Sequence, residues 1–456
     1  MASPPLPADV DLGKLSYEIF SLLESKFLFG GVGSVPGTPG RAVLGGGGGG
    51  GEGGRVRVVA IDGCGPGPGD ALLAAAALAR LEAALRARAG DPDARVADFF
   101  DAAAGTGAGG VLAAMLFLKG EDGRARYTAA DALAFVAASL GKGGWGGGAG
   151  GGGRRSWWTA LFRRGEKSPL RRVFGDATLR DTVAPLLVPC YDLATAAPFL
   201  FSRADAIESD SFDFRLRDVC AATCAVGAAA AAVRSLDGRT AIAAASGGVA
   251  AMGNPTAAAI THVLHNKQEF PLAAGVDDLL VVSIGSGSSA APTAGWRTPI
   301  PQRSPSPAEM VRLTAEGVAD MVDQAVAMAF GHTCGRNYVR IQAASPACSG
   351  KALSSLDAKK AVAVADGMLT QRNVEAELFR GRRLSEKSNR EKLDAFAAEL
   401  VKEHERRARS PGLANVVIKQ AATPRLSSAT TASSATATGR TVSTMPSPAS
   451  QSSCRC

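Results

Sequence analysis

The sequence predicts an α/β fold, with a mostly parallel central sheet flanked by helices. Two stretches carry that prediction. Arg55 to Ile61, RVRVVAI, is short, β-branched and apolar; it runs into Asp62-Gly63-Cys64-Gly65-Pro66-Gly67-Pro68-Gly69 and then into the Ala/Leu-rich ALLAAAALARLEAALRARAG. Ala97 to Leu116, ADFFDAAAGTGAGGVLAAML, repeats the order: an apolar run, the turn Gly105-Thr106-Gly107-Ala108-Gly109-Gly110, and a segment of helical composition. Strands covered on both faces read as continuous apolar runs, and successive strand, turn and helix units imply right-handed crossovers between parallel strands. Both glycine turns are therefore expected at the carboxyl ends of the strands, where open sheets bind ligands.

The other elements follow from periodicity and composition. Leu15, Ile19, Leu22 and Leu23 stand at helical spacing within a helical segment over 1–29, and a Gly-rich linker over 30–54 follows it. The main domain is expected over 55–270, interrupted by a glycine tract at 141–153. Over 271–410, DDLLVVSI and NYVRIQ read as strands, and the segment beyond Pro305 and REKLDAFAAELVKEHERR read as helices, all packing on that domain. The Ser/Thr/Ala/Pro-rich tail over 411–456 has a composition that predicts disorder.

With 456 residues, 46% of them hydrophobic, the chain can bury a large core, and one main domain with appendages is expected. The N-terminus lacks the features of a secretory signal and no stretch is apolar enough to span a bilayer, which predicts a cytoplasmic protein. Eight scattered cysteines predict reduced thiols. No ligand spacing points to zinc or calcium, so no metal or cofactor is expected. A net charge of +8 favours anionic partners, but no nucleic-acid-binding signature accompanies it.

The second turn has the scaffold of a nucleophile elbow, in which glycines flank a residue held up at the sheet edge with a helix N-terminus beneath it. Gly105, Thr106, Ala108 and Gly109 build that elbow around Gly107, which offers no side chain for attack.

Four stretches in this order, VVAIDGCG near 58, ADFFDAAAGTGAGGVLAAML near 97, FGDATLRDTVAPLLVPCYDLATAAPFLFSRADA near 174 and SGGVAAMGNPTAAAITHVLHNKQEFP near 246, resemble the patatin-like lipid acyl hydrolases. Within that family they are similar to the plant patatin-related phospholipases A of the third class. The resemblance implies a patatin-like hydrolase fold, independence of calcium, and hydrolysis of acyl esters of phospholipids and galactolipids. The family's chemistry uses a Ser-Asp dyad and an oxyanion turn D-G-G-G-x-R-G. Carried over by motif, the nucleophile position falls on Gly107, the aspartate on Ser246, and the oxyanion hole on Gly63, Cys64 and Gly65. The arginine of that turn has no equivalent, since Pro66-Gly67-Pro68 stands there. Third-class members carry glycine at the elbow, so the resemblance implies a weakly active hydrolase; the alternative is a catalytically inactive lipid-binding or regulatory protein of the same fold. Asp237, in an Asp-Gly pair, reads as a hairpin turn rather than as a base.

Peripheral contact with a membrane is expected at RRSWWTALFRRGEKSPLRR, where Arg154, Arg155, Arg163 and Arg164 would meet anionic headgroups and Trp157 and Trp158 the interface. The bland reading of the same segment is a solvated helix with its aromatics turned inward. Cys454 and Cys456 could carry a lipid.

Overall fold

The computed structural model describes residues 54–63, 69–142, 169–225, 231–245, 252–271, 273–287, 304, 306–344, 357–377 and 381–409. The expected N-terminal helix, the linker up to residue 53, the glycine tract beyond Lys142, the basic aromatic segment with Arg154, Arg155, Trp157, Trp158, Arg163 and Arg164, and the tail lie outside the described residues. So do Cys64, Gly65 and Ser246.

Ten strands are described: β1 (Val56–Ile61), β2 (Ala102–Gly105), β3 (Leu186–Asp192), β4 (Ala197–Ser202), β5 (Ala231–Arg234), β6 (Ala241–Ala245), β7 (Leu279–Ile284), β8 (Tyr338–Ile341), β9 (Arg372–Glu377) and β10 (Gly381–Ser388). The central sheet runs β5-β6-β3-β2-β1-β7-β8, with β4 also paired to β3, while β9 and β10 form a separate hairpin. From β3 through β2, β1 and β7 to β8 every pairing is parallel; β4, β5 and β6 join antiparallel. The expected mostly parallel sheet is therefore present, with an antiparallel wing. Residues beyond 270 do not merely cover it, because β7 is hydrogen-bonded to β1 along six residues of register.

The described helices are α1 (Gly69–Ala89), α2 (Ala108–Phe117), α3 (Ala129–Lys142), α4 (Pro169–Phe174), α5 (Arg203–Glu208), α6 (Leu216–Cys224), α7 (Thr256–His265), α8 (Pro307–Phe330), α9 (Ala358–Thr370) and α10 (Asn389–Arg409). Side-chain alternation in β1 sorts them into two layers. Val59 and Ile61 join the core with α1, α2, α9 and α10, while Val56 and Val58 join a second core with α7 and the C-terminal half of α8. Burial of β1 on both faces explains why RVRVVAI shows no polar alternation.

One expected strand is shorter than its apolar run. Val96–Phe99 is a single 3-10 turn, and the strand begins only at Ala102. Asp98 accounts for the difference, since its carboxylate accepts the Arg95 amide and favours a turn over an extended backbone.

The amino-terminal pole of the sheet is closed by buried charge. Asp101 accepts Arg57 Nη2 at 2.7 Å, the Arg57 amide at 2.8 Å and Arg407 Nη2 at 2.7 Å, which ties α10 to β1. Although burial works against its charge, the Arg57 and Arg407 guanidiniums hold the Asp101 carboxyl down at about 2.

Candidate active site

At the opposite pole, β1 and β2 end side by side, with Ile61 in register with Gly105. The two glycine turns predicted from sequence leave these strand ends, and Gly63, at the start of the first, touches the second. A Cβ on Gly63 would stand 1.9 Å from the Thr106 carbonyl oxygen and 2.9 Å from the Ala108 nitrogen, so only glycine allows this approach. A Cβ on Gly107 would lie 3.0 Å from the Gly63 carbonyl oxygen.

Gly107 is the N-cap of α2 at φ 53° and ψ −124°. This left-handed region is open to glycine and strained for other residues, and an apex held there is the mark of a nucleophile elbow. The Gly107 amide donates to Thr223 Oγ1 of α6 at 2.9 Å, and the Thr106 amide donates to the Ile61 carbonyl at 3.1 Å. Thr106 is fully buried, and its hydroxyl has no hydrogen-bond partner among the described residues. Gly105 and Gly109 are needed for the same reason as Gly63: a Cβ on either would fall within 2.4 Å of backbone oxygen.

Where the two turns meet, one expectation needs correcting. The Gly63 amide, predicted as an oxyanion donor, already donates to the Gly253 carbonyl at 3.3 Å. Gly63 therefore supplies the close approach, and the other two residues of the predicted trio, Cys64 and Gly65, lie outside the described residues. Other donors come from the helix. Gly110 and Val111 make the first intrahelical bonds of α2, to Thr106 and Gly107, while the Ala108 and Gly109 amides have no backbone acceptor among the described residues. Such first-turn N–H groups, at the positive end of the helix dipole, are anion-binding groups.

The turn after β1 is held from below by a buried polar chain that sequence reasoning missed. Arg340 of β8 forks onto Asp62, with Nη1 to Oδ1 at 2.9 Å and Nη2 to Oδ2 at 2.5 Å, and Nη1 also donates to Ser283 Oγ at 2.6 Å. Thr256 Oγ1 bonds Ser283 Oγ at 2.8 Å and donates to Asn254 Oδ1 at 2.5 Å. Arg340, Ser283 and Ala60 are aligned in register across β8, β7 and β1, and the small side chains at 283 and 60 leave room for the guanidinium to reach Asp62. Burial pushes the Asp62 carboxyl up against the pull of Arg340. The signal in the sequence was an arginine at an inward position of NYVRIQ.

The other candidates do not enter the site. Asp237 caps the β5–β6 hairpin turn, accepting from Ser211 and Ser235 hydroxyls at 2.7 and 2.6 Å and from the Arg239 amide at 3.0 Å. Burial pushes the Cys190 thiol up to about 12 and raises Cys220 and Cys224 as well, so these thiols stay protonated at neutral pH. Among the described residues no group of His, Cys, Asp or Glu could hold a metal ion. Nor is any described helix long and apolar enough to cross a membrane.

A mostly parallel sheet with a glycine elbow at the carboxyl ends of its strands, followed by a helix whose first two amides have no backbone acceptor among the described residues, has the scaffold of an α/β hydrolase elbow. The Patatin-like phospholipase family matches residues 59–260. Patatin-like protein 3 of rice (Oryza sativa subsp. indica) is 54% identical over 86% of this chain and 92% of its own length. Patatin-like protein 7 of Arabidopsis thaliana is 44% identical over 87% and 82%. A third relative, named "Probable inactive patatin-like protein 9" in the same plant, is 38% identical over 86% and 94%. The chain belongs to the patatin-like phospholipase family, a family of lipid acyl hydrolases.

Proposed function

We propose that this chain is a patatin-related phospholipase A of the third class, slowly hydrolysing acyl esters of phospholipids and galactolipids at membrane surfaces. The supporting observation is the contact between the Gly63 turn and an elbow whose apex keeps φ 53° without a side chain. An ester carbonyl seated over the first turn of α2 meets the Ala108 and Gly109 amides, which favour the negative charge that develops on its oxygen. Water adds to the carbonyl carbon, the ester C–O bond breaks, and fatty acid and a lyso-lipid leave. With Gly107 at the nucleophile position and Ser246 at the base position, the chain relies on binding and oxyanion stabilisation, which alone are worth roughly 10³–10⁴ over water. The net charge of +8 suits peripheral association with anionic membranes from the cytoplasm.

A second reading is a catalytically inactive lipid-binding or regulatory protein. It draws on the same missing side chain and on the name of the 38% identical relative.

Fatty-acid release from phosphatidylcholine and monogalactosyldiacylglycerol in mixed micelles separates the two. Ala108→Pro removes one amide at the first helical position, where proline is tolerated, and unchanged melting of the variant is required to show that its ring fits against the nearby Gly63. Slow release by the wild type, reduced about 100-fold in Ala108→Pro, supports the hydrolase. No release by the wild type, with release by a Gly107→Ser/Ser246→Asp variant, establishes the inactive reading.

A further inference from the structure

The described surface concentrates exposed apolar side chains on one helix. Of the ten large hydrophobic residues exposed there, six lie on α8: Met310, Val311, Leu313, Val318, Met321 and Met328. Met310, Gly317, Met321 and Met328 recur at intervals of seven, four and seven and share one stripe, on which Met321 is 68% and Met328 65% exposed. Between Leu313 and Ala329 the charged side chains are Glu316, Asp320 and Asp323, and all three are engaged on the inner flank. Arg382 pairs with Glu316 at 3.6 Å and Asp320 at 2.8 Å, and Tyr338 Oη donates to Asp323 at 2.6 Å.

We propose that this stripe of α8 is a lipid-docking face that seats a phospholipid bilayer surface beside the active site. Continuity with the site is the first argument. The Ala319 carbonyl, midway along the stripe's length, accepts from Asn254 Nδ2 at 3.3 Å, and the adjacent Gly253 carbonyl holds the Gly63 amide of the turn that faces Gly107. Ala319 is buried on the face of α8 opposite the stripe, so the helix that presents the stripe to solvent is itself anchored through one loop to the turn that faces Gly107.

Area is the second argument. From Met310 to Met328 the stripe is about 27 Å long and one helix wide, roughly 300 Å² against the ~800 Å² per partner of a standard protein interface. A second copy or a folded partner would gain too little there, whereas a bilayer accepts apolar side chains one at a time. Charge and shape agree, because Met310, Gly317, Met321 and Met328 carry no charge and meet no penalty among acyl chains, and unbranched methionines adapt to an irregular apolar phase. The choice of lipid as occupant rests on the acyl-lipid reading of the site; the test below does not depend on turnover.

The full-length chain is floated with vesicles of phosphatidylcholine, alone and doped with phosphatidylglycerol, and compared with Met321→Glu/Met328→Glu and with a control, Leu193→Glu, at another exposed site. The expected result is a fall of at least about tenfold in vesicle partition for the double variant, an unchanged control, and unchanged melting of all three proteins. Three results overturn the proposal: a wild type that does not float, a double variant that floats as the wild type does, or a wild-type dimer without vesicles that the double variant turns into a monomer. Hydrolysis of a short-chain monomeric ester, followed in parallel, reports on the function reading separately, since a chain that floats through α8 without hydrolysing refutes that reading and leaves the docking face standing.

Discussion

Arg340 reaches from β8 across β7 and closes a two-pronged ion pair on Asp62, the residue that opens the turn facing Gly107. A fully enclosed pair of this kind is costly to break from one side, because the remaining charge has neither water nor a partner. Arg340→Met should lower unfolding free energy by about 3–5 kcal/mol. An Arg340→Met/Asp62→Leu double variant should recover much of that loss. Urea denaturation of the three proteins checks both, and equal losses in the single and double variants would mean the pair contributes through packing alone.

Gly63 and Gly107 should respond differently to alanine. At Gly107 the methyl would sit 3.0 Å from the Gly63 carbonyl in a left-handed backbone, a cost of about 1–3 kcal/mol with the fold retained. At Gly63 it would overlap the Thr106 carbonyl at 1.9 Å, so the turns must part and the loss should be larger. Melting temperatures rank the two. The same 3.0 Å contact means that a serine introduced at 107 must first displace the Gly63 carbonyl by a few tenths of an ångström.

Thr223 holds the Gly107 amide through its hydroxyl. Thr223→Val keeps the shape and leaves a buried N–H without an acceptor, so a loss of about 1–3 kcal/mol is expected. Thr223→Ser should retain most of the stability, and thermal unfolding of the two variants tests this.

Acid should weaken the protein through Asp101. Its carboxyl is held at about 2 in the fold against an ordinary value near 3.9, so the stabilisation it provides is present above about pH 4 and is lost as pH falls toward 2. The linked free energy is about 2.5 kcal/mol. Asp101→Asn should be less stable at pH 7, since Arg57 and Arg407 lose their charged partner. Its stability should also fall less steeply between pH 4 and 2, which denaturation midpoints across that range will show.

Asp237 is occupied in turning a hairpin, bonded to Ser211, Ser235 and the Arg239 amide. Asp237→Ala should therefore leave fatty-acid release within about twofold of the wild type, because surface substitutions away from the site cost little. Loss of release would make it part of the chemistry.

Much of this was legible in the chain. RVRVVAI and its glycine turn became β1 and the Gly63 approach, and the segment around Gly107 became an elbow, because tight turns state their steric needs locally as glycines. The 3-10 turn at Val96–Phe99 was hidden by its apolar residues, which suit a strand equally well until the Asp98 cap is counted. Thr223 gave no signal, since nothing near it in sequence says that it will meet Gly107.

What the sequence by itself determined is the backbone chemistry of the site: two glycine turns after buried strands, and an apex with no side chain to attack an ester. What only the tertiary structure decided is which groups those turns meet. Arg340 finds Asp62 across 278 residues, Gly253 takes the amide that Gly63 would have offered to substrate, and the buried face of α8 comes to lie against the neighbouring Asn254. The reason is physical, for turn geometry is dictated by neighbouring dihedral angles, whereas the β1-β7-β8 strand order that aligns Ala60, Ser283 and Arg340 is set by the packing of the whole sheet.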